Sequence, residues 1–449
     1  MACEYYGELH RPQFHFTPRT GWTNDPNGLV FYQGQYHLFF QHNPVSVKWG
    51  NMTWGHAVSG DLVHWQEVED AIHPDELGTI FSGSAVVDQN NTAGFATGAE
   101  KAIVAIYTSA GSCVKPARPF TQSIAYSTDR GQTWQKYAGN PVLGHIRAEN
   151  RDPKVFWHEP TGRWVMALYL DANDYVLLGS KDLKSWQKLS DVQIPGTGEC
   201  PDFFELPVDG DPADTRWVFW GAASAYQIGR FDGVTFTPET ESLRAESGAN
   251  GYAAQTYSDI PASDGRRIQI SWMAGGRYPA MPFNQQMSFP VELTLRRLPE
   301  GLRLCRRPVG ELALLHGRAD VWRDSALAPG RNLVPDSRHD LFDIHATLDV
   351  GSAKFLGVIV RGNDLRYDVA AGKFTYLGRD IPVAREGALL RFQLLVDRTS
   401  LELFTPDGAV SASFCFLPEA CDVPLEFYAD GEAKLVELTV HELASAWRT

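Results

Sequence analysis

A short turn motif recurs along this 449-residue chain. The motif combines a serine, an aspartate two residues later and an aromatic residue on the next strand. It occurs as SGDLVHW (residues 59–65), STDRGQTW (127–134) and SKDLKSW (180–186), with a looser copy in GRFDGVTF (229–236). Each copy follows a β-rich run such as SIAYS or YVLLGS. The pattern therefore predicts a hairpin at the same place in a repeated structural unit.

A second marker recurs with a similar period, always at the start of an apolar strand. The five copies are NDPNGLVF at Asp25, FSGSAVV at Ser82, RDPKVFW at Asp152, ECPDFFEL at Glu199 and GYAAQTY at Tyr252, separated by 57, 70, 47 and 53 residues. Periods of this size, with about four strands per unit, are typical of a β-propeller. Five markers predict five blades. RRIQISWMAG is expected to form the last strand pair of the fifth blade, and MSFPVELTLRR to close the ring.

The character of the sequence changes near Arg318. Runs such as DLFDIHATLDV, KFLGVIVRG and KLVELTVHEL alternate apolar and polar residues between tight turns, which is typical of a β-sandwich. Helical periodicity is almost absent, so the predicted fold is all-β: a five-bladed β-propeller in residues 1–310 followed by a β-sandwich in residues 318–449. The sandwich offers no candidate site. Its predicted role is to cover a flank of the propeller or to join two copies of the chain as a homodimer.

The charge balance narrows the choice of partners. Lys and Arg total 40 against 54 Asp and Glu, a formal net charge of −14, which disfavours nucleic acid and anionic membrane surfaces. No apolar run approaches the roughly 18 residues of a membrane span. The first residues, MACEYYGELHRPQF, lack the basic and apolar segments of a secretory signal. This predicts a cytoplasmic protein, or a secreted one written without its leader.

Neither the cysteines nor the histidines form a metal-binding pattern. The six cysteines include no CxxC pair and the thirteen histidines no HExxH motif, so no metal and no cofactor are predicted. Cys200, which follows Glu199, is interpreted as a buried spacer because no histidine partner for a nucleophilic thiol is apparent. A neutral ligand suits this chain better than a charged one.

Three carboxylates stand at the starts of predicted innermost strands. These strands line the axis of a propeller, so Asp25, Asp152 and Glu199 are expected to face one another in one funnel. The turn-prone residues of NDPNG are expected to aim Asp25 at the axis. Each aspartate could instead hydrogen-bond its own turn. Three acids in a dehydrated funnel repel one another, however, so a functional reason for gathering them is expected. Glycoside cleavage supplies one, because its oxocarbenium-like transition state is positively charged. The sequence leaves open whether the working pair is spaced for retention or inversion.

The order and spacing of several motifs carry a family resemblance. WTNDPNG, the Gln41 of FFQHNP, Trp49 before a glycine, FSGS, RDP and ECPD together resemble glycoside hydrolase family 32, the invertases, levanases and exo-inulinases. The resemblance covers nearly the whole chain, including the predicted sandwich. It implies that Asp25 is the nucleophile, that Asp152 stabilises the transition state and that Glu199 is the acid/base.

The same resemblance implies a shell of side chains around the bound sugar. Its members are Asn24, Gln41, Trp49, Phe81, Ser82, Arg151 and Trp272. Aromatic faces against a furanose ring and polar groups toward its hydroxyls are physically suited to this role. Core packing is the alternative for Phe81 and Trp272. Four further tryptophans are assigned to blade packing: Trp54, Trp65, Trp134 and Trp186.

The chain departs from the family pattern around the expected leaving-group rim. It has Thr23 where the family commonly has Met, Gly198 where Trp is frequent, and Asn250, Gly251 and Tyr252 where Asp-Phe-Tyr is usual. The resemblance therefore implies recognition of a fructosyl unit, but it does not indicate the identity of the leaving group.

Taken with the resemblance, the sequence predicts a retaining, exo-acting β-fructofuranosidase. It is expected to remove terminal β-D-fructosyl units from levan- or inulin-type fructans, fructo-oligosaccharides or sucrose through a covalent fructosyl-aspartate, without a cofactor. Its partner is then a small or polymeric fructoside. Four alternatives stay open: a fructosyltransferase with the same first step, a levanbiose-releasing variant, an inverting five-bladed glycosidase of the arabinan and xylan type, and a sugar-binding module without catalysis.

Overall fold

A computed structural model describes residues 5–336, 339–419 and 423–447 of the chain. Within these ranges the chain forms 33 strands, numbered β1 to β33, and three short 3-10 helices at Gly111–Cys113, Glu159–Thr161 and Gly310–Leu315. None of these helices has the length and apolar character needed to cross a bilayer. The prediction of an all-β fold is confirmed.

Antiparallel groups of strands follow one another along the first part of the chain, and each group forms one blade. Blade I consists of β1 (Gly21–Tyr32), β2 (Gln35–Asn43), β3 (Thr53–Ser59) and β4 (Gln66–Glu67). Blade II consists of β5 (Thr79–Asp88), β6 (Ala102–Ala110), β7 (Thr121–Ser127) and β8 (Gln135–Lys136). Blade III consists of β9 (Arg151–His158), β10 (Arg163–Asp171), β11 (Asp174–Ser180) and β12 (Gln187–Gln193).

Blades IV and V complete the series. Blade IV consists of β13 (Asp202–Val208), β14 (Asp211–Trp220), β15 (Ala225–Phe231) and β16 (Phe236–Pro238), and β17 (Leu243–Arg244) also pairs with β15. Blade V consists of β18 (Gly251–Thr256), β19 (Arg267–Met273), β21 (Val291–Leu298) and β22 (Gly301–Pro308). The prediction of a five-bladed propeller is confirmed.

The innermost strands of the blades form a closed ring. Strand β1 lies against β5, β5 against β9, β13 against β18 and β18 against β1. Between β9 and β13, Lys154 Nζ lies 3.2 Å from Asp202 Oδ1. Both side chains are buried, and the ion pair joins these two neighbouring innermost strands. The starts of the innermost strands therefore converge at one end of the axis.

The Ser-x-Asp motif marks the turn from the third to the fourth strand of a blade. Its serines are the last residues of β3, β7 and β11. In blade I the Asp61 carboxylate accepts hydrogen bonds from the backbone N–H groups of Val63 at 3.0 Å and His64 at 2.8 Å. The corresponding aspartates that accept backbone N–H groups in the other blades are Asp129, Asp182 and Asp232. The motif is thus a side-chain-capped turn, as Asp in turns commonly is.

The tryptophans assigned to packing lie in the apolar clusters between blades. Trp54 is fully buried and Trp65 nearly so. Trp134 and Trp186 are half-buried against clusters shared by neighbouring blades. These contacts agree with the packing role expected from the sequence.

The segment NDPNG is part of strand β1 and does not form a separate turn before it. The pairing of β1 with β2 shifts register between Thr23 and Pro26 and again between Asn27 and Val30, as at β-bulges. Gly28 has φ +53°, and a Cβ there would lie 2.7 Å from the Phe39 ring. The turn-prone residues of NDPNG therefore form bulges within the strand.

Ring closure differs from the sequence-based expectation. Strand β20 (Phe283–Asn284) pairs in parallel with the start of β1, with Gly21 opposite Phe283. The segment MSFPVELTLRR was expected to close the ring but supplies β21, the third strand of blade V. Two residues suffice for closure, and so short a strand carries no periodicity by which a sequence could reveal it.

Two packed sheets form the second domain. One has the strand order β23 (His316–Leu327), β33 (Ala433–Leu443), β24 (Phe342–Asp349), β29 (Leu389–Val396), β30 (Ser400–Phe404) and β31 (Ser411–Cys415). The other has the order β28 (Arg379–Pro382), β27 (Lys373–Tyr376), β26 (Asn363–Asp368), β25 (Phe355–Val360) and β32 (Leu425–Ala429). Their facing side chains form one apolar core. The prediction of a C-terminal β-sandwich is confirmed.

Strand β31 joins the sandwich to the propeller. The segment 245–250, which precedes β18, runs beside it: Ser247 N–H donates to Ser411 O at 2.9 Å, and Asn250 N–H donates to Ser413 O at 3.1 Å. The Cys415 N–H donates to Asn250 Oδ1 at 2.8 Å. Because Asn250 lies two residues before Tyr252, the sandwich fixes the entry of the innermost strand of blade V.

A buried ionic cluster forms a second link between the domains. His15 Nδ1 lies 2.8 Å from Asp397 Oδ2, and His15 Nε2 lies 2.8 Å from Glu402 Oε2. All three side chains are buried. The N-terminal segment before β1 is therefore held by carboxylates of the sandwich.

Candidate active site

A pocket of about 370 Å³ opens at the end of the axis where the innermost strands begin. Its volume lies within the range of small-molecule sites. All ten residues singled out from the sequence line it: Asn24, Asp25, Gln41, Trp49, Phe81, Ser82, Arg151, Asp152, Glu199 and Trp272. Asp25 and Ser82 come from β1 and β5, Asp152 comes from β9, and Glu199 precedes β13. The ring geometry thus brings together residues that lie far apart in the chain.

Asp25 is held by three neighbours. Ser82 Oγ donates to its Oδ2 at 2.5 Å, Asn24 Nδ2 donates to its Oδ1 at 3.2 Å, and Cys200 Sγ lies 3.4 Å from Oδ2. Burial raises the pKa of Asp25, the Ser82 hydrogen bond opposes this rise, and the charge of Glu199 adds to it. The carboxylate is therefore fixed in orientation but poorly solvated, which suits a nucleophile.

Asp152 is the most enclosed of the three acids. Its side chain is buried, and its backbone has φ +64°, a conformation uncommon for a residue other than glycine. The Cys200 N–H donates to Asp152 Oδ2 at 3.0 Å, and the Asp152 N–H donates to Thr108 Oγ1 at 2.9 Å. Burial raises the pKa of Asp152, Arg151 opposes the rise, and the charges of Glu199 and Asp25 increase it. A strained backbone and a poorly solvated carboxyl together are typical of a functional site.

Glu199 is the most exposed of the three acids, with 28% of its side chain accessible. Arg151 donates to Glu199 Oε2 from Nη2 at 2.7 Å and from Nε at 3.2 Å, and the Tyr252 hydroxyl donates to Glu199 Oε1. Burial and then the charge of Glu199 raise the pKa of Tyr252, so the phenol keeps its proton and acts as a donor. Glu199 is thus oriented on both oxygens while it can still exchange protons with solvent.

The backbone that carries Glu199 is unusual. Glu199 and Cys200 have φ values of +33° and +40°, so two successive residues lie outside the ordinary regions for L-residues. The Ala222 N–H donates to both Gly198 O and Glu199 O at 3.1 Å, which holds this turn in place. The resulting conformation presents the Glu199 side chain and the Cys200 N–H to the same pocket.

Cys200 connects the two aspartates. Its Sγ lies 3.4 Å from Asp25 Oδ2 and 3.5 Å from Asp152 Oδ2, and its side chain is buried. Burial, followed by the charges of Asp152 and Asp25, raises the pKa of the Cys200 thiol. The group therefore remains a neutral thiol that can donate weakly to carboxylates. This arrangement agrees with a buried spacer.

Aromatic rings form one wall and the rim of the pocket. Trp49 is 55% exposed and stands edge-to-face on Phe81 at 6.0 Å, and Trp272 stands in the same way on Tyr252 at 6.1 Å. Phe81 and Trp272 are half-buried and face the pocket. Phe81 and Trp272 therefore have surface that faces the pocket, which a residue buried only for core packing would lack.

Five lining residues were not singled out as site residues from the sequence. They are Ser112, Cys113, Phe120, Glu149 and Tyr252. Tyr252 carried a usable signal, because it starts the fifth innermost strand as Asp25 starts the first. The other four lie between strands, Ser112 and Cys113 in a 3-10 helix and Phe120 and Glu149 in loops, where the sequence has no repeated marker to indicate which side chains turn inward.

The architecture and the site together define a class of protein. Three carboxylates at one end of a five-bladed propeller, with a β-sandwich behind it, describe a glycoside hydrolase. The chain belongs to glycosyl hydrolases family 32: residues 15–308 match the family's N-terminal domain, and residues 314–442 match its C-terminal domain.

Relatives of known name support this membership. The chain is 40% identical to a levanase from Bacillus subtilis over 99% of its own length and 72% of the relative's. It covers 53% of a levanase from Bacillus sp. strain L7, with 32% identity. It is 35% identical to an extracellular exo-inulinase from Aspergillus awamori, over 98% of this chain and 96% of the relative.

Solved structures agree with the fold. The crystal structure of the exo-inulinase from Aspergillus awamori superposes with a TM-score of 0.87 and 27% identity, covering 98% of this chain and 100% of the other. A β-fructofuranosidase from Schwanniomyces occidentalis, in complex with fructosyl-erythritol, gives a TM-score of 0.87 and 28% identity, with 99% of each chain covered.

Proposed function

We propose that this protein is a retaining, exo-acting β-fructofuranosidase. The supporting observation is that Asp25 and Glu199 line one pocket of a family 32 chain, the first poorly solvated and the second oriented but open to solvent. Lys154 lies two residues beyond Asp152 on β9, where its buried ion pair with Asp202 joins β9 to β13. A pocket of this size at one end of the axis can hold the terminus of a chain, which suits removal of one fructosyl unit at a time.

In the first step, Asp25 attacks the anomeric carbon of a terminal β-D-fructosyl residue. The bond from that carbon to the leaving oxygen breaks, and Glu199 transfers its proton to this oxygen. A fructosyl ester of Asp25 results. Ser82 and Asn24 keep the attacking carboxylate oriented through their hydrogen bonds to its two oxygens.

In the second step, Glu199 takes a proton from water, which attacks the anomeric carbon and releases Asp25. Glu199 gave up its proton to the leaving oxygen in the first step, so its carboxylate is then free to accept a proton from water. Asp152 does not bond to the reacting carbon in this proposal. Its buried carboxylate grips hydroxyls of the sugar, with interactions that strengthen as positive charge develops on the ring.

The proposed substrates are levan- or inulin-type fructans, fructo-oligosaccharides and sucrose. Levanases and exo-inulinases are among the relatives, and the exposed Trp49 with the half-buried Phe81 offers a rim for the leaving group. The test is a fructose-release assay with sucrose, inulin, levan and levanbiose. Release of free fructose as the first product supports exo-hydrolysis. Release of levanbiose, or trisaccharides in excess of fructose from sucrose, contradicts it.

The stereochemistry is tested separately. Proton NMR of the earliest fructose anomer distinguishes retention from inversion, because a covalent intermediate requires two displacements. A β-anomer as the first product supports the fructosyl-aspartate. An α-anomer contradicts it and favours direct attack by water.

A further inference from the structure

We propose that a second pocket, at the opposite end of the propeller axis, binds a neutral oligosaccharide or fructan segment without cleaving it. The choice of fructan as the ligand rests on the proposed function. The pocket measures about 430 Å³ and lies where β5 and β9 end. Its principal lining residues are Phe156, Trp157, Trp217, Glu205, Asp259 and Arg267.

The second pocket is separate from the active site. Asp152 and Phe156 lie four residues apart on β9, which corresponds to about 13 Å along a strand. Between these levels, Lys154 Nζ donates to Thr256 O at 2.7 Å and pairs with Asp202. Lys154 and Asp202 are buried and satisfy each other. A ligand in the second pocket therefore does not reach the catalytic acids.

Aromatic rings form one side of this pocket. Trp157 is half-buried and stands edge-to-face on Trp164 at 5.2 Å, so its own ring is held in a fixed orientation. The Phe156 ring lies 5.1 Å from Trp217. Rigid, partly exposed aromatic faces are suited to the C–H faces of sugar rings.

Polar groups of both signs converge on the same space. Arg267 donates to Tyr257 O at 3.3 Å, and among the described residues no carboxylate lies within ion-pair distance of it. Most of its five N–H donors therefore remain free for a ligand. Asp259 accepts from the Val87 N–H at 2.8 Å and, with Glu205, supplies acceptors in the same pocket.

This mixture of groups selects a ligand class. An anionic ligand would meet Asp259 and Glu205 in a chain of net charge −14, and a cationic one would meet Arg267 and Lys154. A neutral polyhydroxylated chain has both donors and acceptors for these groups and apolar faces for the rings. A fructan presents many such units, so one chain or two can occupy both ends of the axis.

The experiment counts binding sites in the full-length protein with its cleavage blocked. In the Asp25→Ala variant, equilibrium dialysis with inulin and levan oligosaccharides of four to five units is expected to give two sites per chain. Adding Trp157→Ala is expected to weaken the second site at least 10-fold and leave the first unchanged. Arg267→Gln serves as an independent variant with the same expectation. Trp322→Ala, a half-buried tryptophan of the sandwich, is the matched control and should keep both sites.

The outcomes separate this proposal from the assigned activity. One site in Asp25→Ala, or two undiminished sites after both Trp157→Ala and Arg267→Gln, overturns the second pocket while the active site stands. Absence of fructose release by the unaltered protein overturns the proposed function instead. With Asp25 intact, Trp157→Ala should leave cleavage of sucrose unchanged and raise KM for the polymer. An equal loss on both substrates contradicts the proposal.

Discussion

The active-site end of the propeller and the interior of the sandwich are both enclosed by β-strands, yet they hold opposite kinds of side chain. In the sandwich, two sheets face each other across residues such as Leu356, Phe374 and Leu403, all fully buried. At the propeller axis, strand starts from separate blades meet, and they bring Asp25 and Asp152 into one pocket. In the sandwich, equivalent strand positions are distributed over the whole face of a sheet. In the propeller, the equivalent first residues of the innermost strands meet at one end of the axis.

The energetic consequences differ in the same way. Burial of apolar side chains in the sandwich stabilises the folded state by about 25 cal/mol per Å² removed from water. The aspartates of the pocket have raised pKa values, so the folded state resists their ionisation. The core of the sandwich therefore stabilises the folded state, whereas the buried carboxylates of the pocket destabilise it. Substitutions in the two regions should have opposite signatures.

The largest effect is expected for Asp25→Ala. Loss of the nucleophile should lower kcat for fructose release at least roughly 10³-fold, with little change in folding stability. Asp129→Ala, in a capped turn of blade II, is the control and should retain activity. Full activity in Asp25→Ala would show that Asp25 is not the nucleophile.

Leu403→Ala tests the sandwich. Leu403 is fully buried in the core, and its truncation should lower the free energy of unfolding by about 2–5 kcal/mol through lost burial and a cavity. Urea unfolding measures this change, and kcat at a temperature where the variant is folded should be unaltered. Leu314→Ala, at a 58% exposed position, is the control. An equal effect at both positions would contradict the assignment of the core.

Tyr252→Phe tests the contact between the phenol and Glu199. The change removes one hydrogen bond to a charged group, worth about 1.5–3 kcal/mol, and should lower kcat roughly 10-fold or more. Because Glu199 exchanges the proton, the pH dependence of kcat should shift as well. A change in KM alone would show that Tyr252 only contacts substrate.

The His15 cluster predicts a pH-dependent link between the two domains. Burial alone would lower the pKa of His15, but hydrogen bonds to Asp397 and Glu402 raise it to about 9. The stabilisation is therefore complete below about pH 6.5 and is lost as pH rises through 9, amounting to about 3 kcal/mol. Thermal unfolding between pH 6.5 and 9.5 measures it. His15→Gln should remove this dependence, and an unchanged slope would assign it to other groups.

Asp152→Asn should change stability with the opposite sign to Leu403→Ala. A carboxyl whose pKa is raised in the folded state destabilises that state at pH values above its unfolded pKa, near 4. The amide lacks this charge, so the variant should be more stable than the unaltered protein at pH 7.5 and gain nothing at pH 4. Its kcat should fall. A loss of stability at pH 7.5 would contradict the comparison of the two regions.

The features that the sequence predicts are those marked by a repeated motif. Five blades follow from five strand starts, and the positions of Asp25, Asp152 and Glu199 in one pocket follow from the ring. The same reasoning could have predicted that Tyr252, at the start of the fifth innermost strand, faces the pocket. Strand β20, by contrast, is set by its partner β1, and the contact of Asn250 with β31 joins residues far apart in sequence. Such features have no local pattern because long-range geometry alone creates them.

Strand β31 lies at the end of its sheet, and the propeller segment 245–250 occupies its outer side. A sandwich separated from its propeller would expose the carbonyls of Ser411 and Ser413 along an unpaired edge. Exposed edges of this kind recruit extended chains and promote aggregation. The propeller thus covers this edge of the sandwich, and an isolated sandwich is expected to aggregate more readily than the full chain.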